Sequence, residues 1–277
     1  MTTTTTKERI DVLLVERGFY ESREKAKAAL MAGLVLVNDE PVDKSGMKVA
    51  RSADIKVKGA LHPYVSRGGL KLEKAIRVFN IDLRERVMLD IGASTGGFTD
   101  CALQNGASYV YAIDVGYNQL DWSLRQDDRV HVMERTNFRY TQPADLVGPP
   151  PTFATIDVSF ISLKHILPAL STLLTVGSGI VALIKPQFEA GREKVGKSGV
   201  VRDSGVHRDV LRTVLTGAAE IGFSLQDITF SPITGGEGNI EFLAYWHWSA
   251  EPNAAVPDDN ALTELVKQAN ETFTTNK

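Results

Sequence analysis

The sequence predicts an α/β protein: a mostly parallel sheet of seven strands, one of them reversed, preceded by a small α+β domain. Three observations predict it. Across residues 87–246, short apolar runs alternate with helical patterns, as in a parallel sheet with helices on both faces. The run VMLDIGASTGGFTD at 87–100 joins a buried strand to a helix through a glycine-rich turn. Residues 1–70 carry a net charge of +3 and the remainder −6, so the first part reads as a separate basic module.

The small domain spans 7–58. Ile10, Leu13 and Leu14 form one helical stripe that stops near Gly18. Ser22 is a good N-cap for a second helix with Glu24 in its first turn, apolar positions at Ala26, Ala29 and Leu30, and Gly33 as the stop. Residues 34–37, a turn at Asn38-Asp39 and a later strand at 54–57 give a hairpin-like pattern. Arg17, Arg23, Lys25 and Lys27 cluster around the second helix. They suit an RNA backbone, and a solvated helix face has nearly the same pattern. Residues 59–66, punctuated by Gly59 and Pro63, read as a linker.

The large domain spans 67–248. A helix over 67–80 carries Arg67, a further expected RNA contact, with Lys71 and Lys74. Strands are expected at 87–91, 109–115, 130–134, 153–160, 179–184, 226–230 and 240–246, with helices at 163–174 and 204–221 among those between them. The segment 231–239 between the last two strands is rich in Gly and Pro and too short for a crossover helix, so these strands pair antiparallel. Residues 249–277 read as an acidic linker followed by a short helix over 261–269.

Composition bounds the function. With 43% hydrophobic and 23% charged residues the 277-residue chain is an ordinary globular one. Its longest purely apolar run, 180–184, is far too short to span a bilayer, and no signal peptide is visible. A single cysteine, Cys101, forms no internal disulfide and no cysteine-rich metal site, so a cytoplasmic protein without metal is expected.

The glycine loop narrows the ligand. No Lys follows Gly96 or Gly97, which excludes a phosphate loop. Ser94 replaces the second glycine of a dinucleotide fingerprint. The motif D-x-G-x-S-x-G-G begins at Asp90, an acid suited to a cationic ligand, and a second acid, Asp114, ends the next strand. S-adenosylmethionine carries an ammonium, a sulfonium and a ribose diol. Asp90 is expected to meet its methionine end and Asp114 its ribose, with Gly92, Ser94, Gly96, Gly97, Phe98 and Asp157 completing the site. An ordinary αβ unit with a glycine turn explains the loop alone, though less well the two acids.

Ligands of open α/β sheets bind beyond the carboxyl ends of strands. The fourth strand there ends in Asp157-Val158-Ser159-Phe160, not the Asn/Asp-Pro-Pro-aromatic run of amine methylation. Cys101, the only cysteine, lies after the glycine loop, where core packing suits it better than nucleophilic attack on cytosine. Lys185 ends the fifth strand, Glu241 begins the last, and Lys71 precedes the first. Together with Asp157 they form an alternating charged set, and two structural ion pairs are the plainer alternative.

Residues 67–246 resemble the FtsJ-type ribose 2′-O-methyltransferase domain, whose mark is a Lys-Asp-Lys-Glu tetrad in this order. Residues 7–58 resemble the small RNA-binding module named after a small-subunit ribosomal protein. With SRGGLKLEKA at 66–75, DIGASTGGFTD at 90–100, DVSFISL at 157–163, IKPQFE at 184–189 and GNIEFL at 238–243, nearly the whole chain resembles the TlyA family. That resemblance implies 2′-O-methylation of cytidines in ribosomal RNA of one or both subunits, with S-adenosylmethionine as donor. It makes Lys185 the base, and Lys71 and Glu241 groups that orient. Asp157 beside Lys185 favours a charged lysine, so stabilising a developing alkoxide stands as the alternative role. The family also carries the hemolysin label. A membrane-lytic protein and an assembly factor that binds S-adenosylmethionine without turnover are the competing classes. No segment or amphipathic helix supports lysis, and four intact tetrad charges weigh against the second.

Overall fold

A computed structural model describes residues 7–20, 22–31, 33–57, 62–235, 238–253 and 256–274. The chain divides into two compact units, Met1–Pro63 and Tyr64–Lys277.

In the first unit, β1 (Lys7–Arg9) leads into α1 (Ile10–Glu16), followed by α2 (Arg23–Met31), β2 (Val35–Val37), β3 (Glu40–Pro41), β4 (Lys48–Ala50) and β5 (Ile55–Val57). Strand β2 pairs antiparallel with both β3 and β5, and β1 with β4. The sequence gives no sign of the β1–β4 pair; three-residue strands are too short to show alternation. The Asn38-Asp39 turn has both residues at positive φ, the twist that two-residue hairpins favour. The α2 start is capped as expected, with Ser22 Oγ accepting from Lys25 N at 3.3 Å. Ile10, Leu13, Leu14, Ala26, Ala29 and Leu30 are buried against Val35, Val37 and Ile55.

The second unit holds α3 (Gly69–Val78), β6 (Val87–Ile91), α4 (Gly97–Gln104), β7 (Tyr109–Ile113), α5 (Trp122–Arg125), β8 (Val130–Met133), β9 (Phe153–Ile156), α6 (Leu167–Ser171), β10 (Gly179–Ile184), α7 (Pro186–Glu189), α8 (Ser204–Ile221), β11 (Phe223–Phe230), β12 (Phe242–Trp248) and α9 (Asp259–Thr274). Its seven-stranded sheet has the order β11-β12-β10-β9-β6-β7-β8. Strand β12 is antiparallel to both neighbours, and the pairs from β10 through β8 are parallel. This is the expected sheet of seven with one reversed. The strands alternate strictly between two cores. Leu89, Ile91, Ile180, Ala182, Ile184, Phe242 and Ala244 pack on one face with α6 and α8. Met88, Val181, Leu183 and Leu243 pack on the other with Leu72 and Phe98. Cys101 lies in this second core, fully buried, and burial pushes its thiol up to about 12. It is the packing residue its position suggested.

Several boundaries differ from the sequence expectation. The strand expected over 153–160 stops at Ile156, because after the Asp157 N–H donates to Ile91 O the chain turns out of the sheet. The helix expected over 163–174 is a 3₁₀ turn, Leu163–His165, and a separate α6. Pro168, which cannot donate to a helical ladder, is admitted only in the first turn of a new helix. The strand expected from 226 begins at Phe223; the register shift between Leu225 and Asp227 hides its alternation.

The expected 59–66 linker overlaps residues 58–61, which lie outside the described residues, and its last three residues belong to the second unit. Tyr64 is buried and its hydroxyl donates to Glu73 Oε1 at 2.9 Å, while Val65 N donates to Asp100 Oδ2 at 2.7 Å. The C-terminal segment is no appendage either. Helix α9 is longer than expected and buries Leu262, Val266 and Ala269 in the main core, with Arg212 paired to Asp259 at 2.5 Å.

Candidate active site

Four charged residues meet at the carboxyl edge of the sheet. Lys71 stands in the first turn of α3, Asp157 one residue past β9, Lys185 one residue past β10 and Glu241 one residue before β12. Lys71 Nζ lies 2.8 Å from Glu241 Oε2 and 3.3 Å from Asp157 Oδ2. Lys185 Nζ lies 2.5 Å from Asp157 Oδ1 and 3.2 Å from Ser159 Oγ. The order is therefore Glu241–Lys71–Asp157–Lys185. Lys71, Lys185 and Glu241 are 7%, 7% and 2% exposed. Burial opposes charge on Lys71, but Asp157 and Glu241 outweigh it and hold the ammonium above the usual lysine range. Burial likewise opposes charge on Asp157, and the two lysines outweigh it, keeping that carboxyl below the usual range. The two separate ion pairs that sequence left open are in fact one connected chain of charges.

The glycine loop lies against this set. Gly92 has φ +86°, and a Cβ there would lie 2.5 Å from Asp157 O, so only glycine allows the loop to approach β9 this closely. Gly96 is the N-cap of α4. Gly97 is needed for another reason: a Cβ would run into Ser66 Oγ and lie 2.8 Å from Gly69 N. Its bareness lets α4 pack onto the start of α3, and so sets where Lys71 stands.

Asp114 sits at the end of β7, half-buried. Its Oδ2 accepts from Ser94 N at 2.8 Å and its Oδ1 from Gly116 N at 2.7 Å. Each oxygen is thus oriented by one backbone donor and keeps acceptor capacity for a diol. The following loop is fixed by Glu134, which accepts from Asn118 N at 2.8 Å and Gln119 N at 3.0 Å and pairs with Arg125. A bare glycine turn and a carboxylate aimed outward fit S-adenosylmethionine.

Two expected cofactor contacts need correction. Asp90 is completely buried, with Oδ2 accepting from Thr99 Oγ1 at 2.6 Å and Oδ1 from Thr155 Oγ1 at 3.0 Å. It braces the loop from behind by tying β6 to α4 and β9, with each carboxylate oxygen taken by a threonine hydroxyl. Burial pushes its carboxyl up to about 6, against the two threonine bonds. Phe98 is 4% exposed and belongs to the core beneath the loop.

Two of the expected RNA contacts are also committed elsewhere. Arg17 donates to the backbone carbonyls of Ala53, at 2.7 Å, and Arg51. Arg23 Nη2 lies 2.8 Å from Asp11 Oδ2, and Arg9 holds the other oxygen at 2.9 Å. The hydrogen bond from Arg9, and then Arg23, keeps the buried Asp11 carboxyl well below the usual carboxylate range despite burial. These arginines fasten the first unit together. Lys25 is exposed and Lys27 half-buried on α2, and Arg67 is exposed ahead of α3.

Sequence reasoning missed Ser159, Phe160 and Glu189. Phe160 has φ +63° and is 90% exposed, with its ring 5.0 Å from that of Phe188. A non-glycine residue in this region carries strain of about 1–3 kcal/mol, a cost met mostly at functional sites. No periodicity marks these residues; only their place in DVSFISL and IKPQFE does.

The FtsJ-like methyltransferase family model matches residues 64–247 and the S4 domain model residues 8–55. The chain belongs to the FtsJ-like methyltransferase family. Its cofactor is therefore S-adenosylmethionine, and an S4 domain precedes the FtsJ-like unit. Relatives match along most of the chain. YqxC of Bacillus subtilis, provisionally named an rRNA methyltransferase, is 58% identical over 98% of this chain and 96% of its own. The 16S/23S rRNA (cytidine-2′-O)-methyltransferase TlyA of Mycobacterium tuberculosis is 41% identical over 86% of this chain and 88% of its own. Hemolysin A of Brachyspira hyodysenteriae is 42% identical over 86% and 99%. A solved structure from Streptococcus thermophilus, provisionally described as a hemolysin, matches with TM-score 0.82 and 54% identity over 99% of both chains.

Proposed function

We propose that this FtsJ-like enzyme methylates the ribose 2′-hydroxyl of a cytidine in ribosomal RNA, acting on one or both ribosomal subunits in the cytoplasm. The observation that carries this reading is the connected chain Glu241–Lys71–Asp157–Lys185 beside the glycine loop. The names of the TlyA relatives supply the cytidine and the ribosomal RNA. Some relatives bear the hemolysin name; among the described residues no helix is long and apolar enough to cross a membrane.

When bound, S-adenosylmethionine supplies a methyl group already activated by its sulfonium. The chain's own residues bring the acceptor to within about 3–3.5 Å and dispose of its proton. Gly92, Ser94, Gly96 and Asp114 line the donor side of the site, with Asp90 bracing the loop behind them. Lys71 is held charged between two carboxylates, so it orients and does not accept a proton. Asp157 is its shared counter-charge and directs Lys185 Nζ. Lys185, fixed by Asp157 and by Ser159 Oγ, meets the 2′-hydroxyl and handles its proton, with Asp157 facing the amine. The exposed ring of Phe160 offers a stacking face for a base drawn out of its helix.

The test is transfer of labelled methyl from S-adenosylmethionine to separated subunits, assembled ribosomes and protein-free ribosomal RNA, with the product nucleotide mapped. A 2′-O-methylcytidine is the expected product. Labelling of a base atom, or none on any ribosomal substrate, would overturn the proposal.

A further inference from the structure

Two motifs of the sequence, DVSFISL and IKPQFE, are joined by one carboxylate. Glu189 ends α7, four residues after Lys185. Its Oε2 accepts from Ser162 Oγ at 2.5 Å and its Oε1 from Leu163 N at 2.8 Å. The loop that follows β9 is thereby held at both ends. At its start Asp157 is paired to Lys71 and Lys185; at its finish Ser162 and Leu163 are tied to Glu189.

Between these anchors lie Ser159, which meets the proton-handling lysine, and Phe160. Ser159 Oγ accepts from Lys185 Nζ at 3.2 Å, and Phe160 projects its ring beside Phe188. Among the described residues, no backbone-to-backbone hydrogen bond is made by the N–H groups of Val158 through Ile161. Phe160 nevertheless adopts φ +63°, a conformation that persists only where the surroundings over-determine it. Side-chain anchors must supply that determination. Glu189 is the one that fixes the far end, and it rises from the same short helix that carries Phe188. Movement of this helix would thus carry Lys185, Phe188 and the loop together.

We propose that Glu189 is a positioning residue for methyl transfer: its carboxylate fastens the end of the Asp157–Leu163 loop, and so holds Ser159 against Lys185 and Phe160 beside Phe188. What the loop serves rests on the proposed function; the clamp itself rests on the distances alone.

The test compares full-length Glu189→Ala, Glu189→Gln and Ser162→Ala with the parent enzyme. Three quantities are read: the affinity for S-adenosylmethionine, kcat and KM on ribosomal RNA, and the rate of chymotrypsin cleavage after Phe160, mapped by mass spectrometry. Losing two hydrogen bonds to a charged acceptor predicts that Glu189→Ala lowers kcat by about tenfold or more and speeds that cleavage by a similar factor, with cofactor affinity unchanged. Glu189→Gln should restore most of both, since an amide accepts from Leu163 N–H and donates to Ser162 Oγ. If Glu189→Ala does not fold, Ser162→Ala, which leaves the half-buried Glu189 carboxylate in place, must still speed the cleavage and lower kcat. Unchanged cleavage and kcat in the folded variants overturn the proposal, as does loss of cofactor affinity in step with kcat. Should the parent enzyme fail to methylate ribosomal RNA, the proposed function falls while cleavage after Phe160 still reports on the clamp.

Discussion

Lys71 Nζ and Glu241 Oε2 lie 2.8 Å apart although 170 residues separate them in the chain. Lys71 comes from the helix that precedes the sheet and Glu241 from the entrance to its last strand. Their contact therefore requires the whole α/β unit to be closed, with β12 inserted between β10 and β11. Both side chains are more than nine-tenths buried. An ion pair so placed does little for net stability, since desolvation offsets the attraction, but breaking it leaves a charge stranded.

Glu241→Ala should therefore destabilise the second unit by about 3–5 kcal/mol, and Lys71→Ala by a similar amount. The double variant should cost less than the sum, with a coupling of about 1–3 kcal/mol. Urea denaturation of the four proteins measures this directly. Additive losses would mean that the two groups do not share one charge network.

Lys185→Ala should lower kcat by at least about a hundredfold, the usual contribution of a positioned proton acceptor, while cofactor affinity stays within about twofold. The first should happen because Lys185 Nζ ends the charge chain, the second because Lys185 Nζ bonds Asp157 and Ser159, while Asp114 is held by Ser94 and Gly116. A kcat close to the parent's would mean that Lys185 does not meet the 2′-hydroxyl.

Much of this site was legible because strand ends are. Apolar runs of five or six residues mark the buried strands, and a charge closing such a run must be paired or used. Lys185 follows Ile180–Ile184 in this way, and Asp114 follows Tyr109–Ile113. The same reasoning misplaced Asp90, since sequence does not show that Thr99 and Thr155 would enclose it. It also misread Arg17 and Arg23, because a partner such as Asp11 or Ala53 O becomes visible only once the chain has folded back. Side chains whose work is to hold a loop, such as Glu189, leave no periodic trace.

Asp90 makes stability depend on pH in a direction opposite to most carboxylates. Burial, the leading cause, raises its carboxyl from 3.8 to about 6 in the folded protein. The folded state therefore binds the proton more tightly than the unfolded chain. Stability from this group is full below pH 3.8 and is lost as pH rises through 6, a change of about 3 kcal/mol at most. Asp157, held low by Lys71 and Lys185, contributes the reverse dependence, but it is common to parent and variant. Asp90→Asn, neutral at every pH, should thus gain on the parent by about 2–3 kcal/mol between about pH 4 and pH 7. Urea midpoints at several pH values across that range decide it; a difference that does not change with pH would mean that Asp90 stays ionised throughout.

Two arginines of the first unit hold its fold. Arg23 compensates the buried Asp11, and Arg17 caps the carbonyls of Arg51 and Ala53, so Ala at either position should lower stability by about 1–3 kcal/mol. Lys25 is exposed and Lys27 half-buried on α2, flanking the buried Ala26, Ala29 and Leu30. A Lys25→Ala, Lys27→Ala double variant should bind ribosomal RNA more weakly. Lysines that neutralise phosphates release counterions, so the slope of log affinity against log salt should also flatten, by about 0.7–0.9 for each phosphate no longer neutralised. Phosphates carry no base information, so the methylated nucleotide in the remaining product should not change. Binding titrations over a range of salt concentrations check the lysines, and thermal melts of the arginine variants check their loss of stability. Unchanged affinity and slope in the lysine variant would move the RNA-binding surface away from α2, with Arg67 the next residue to neutralise.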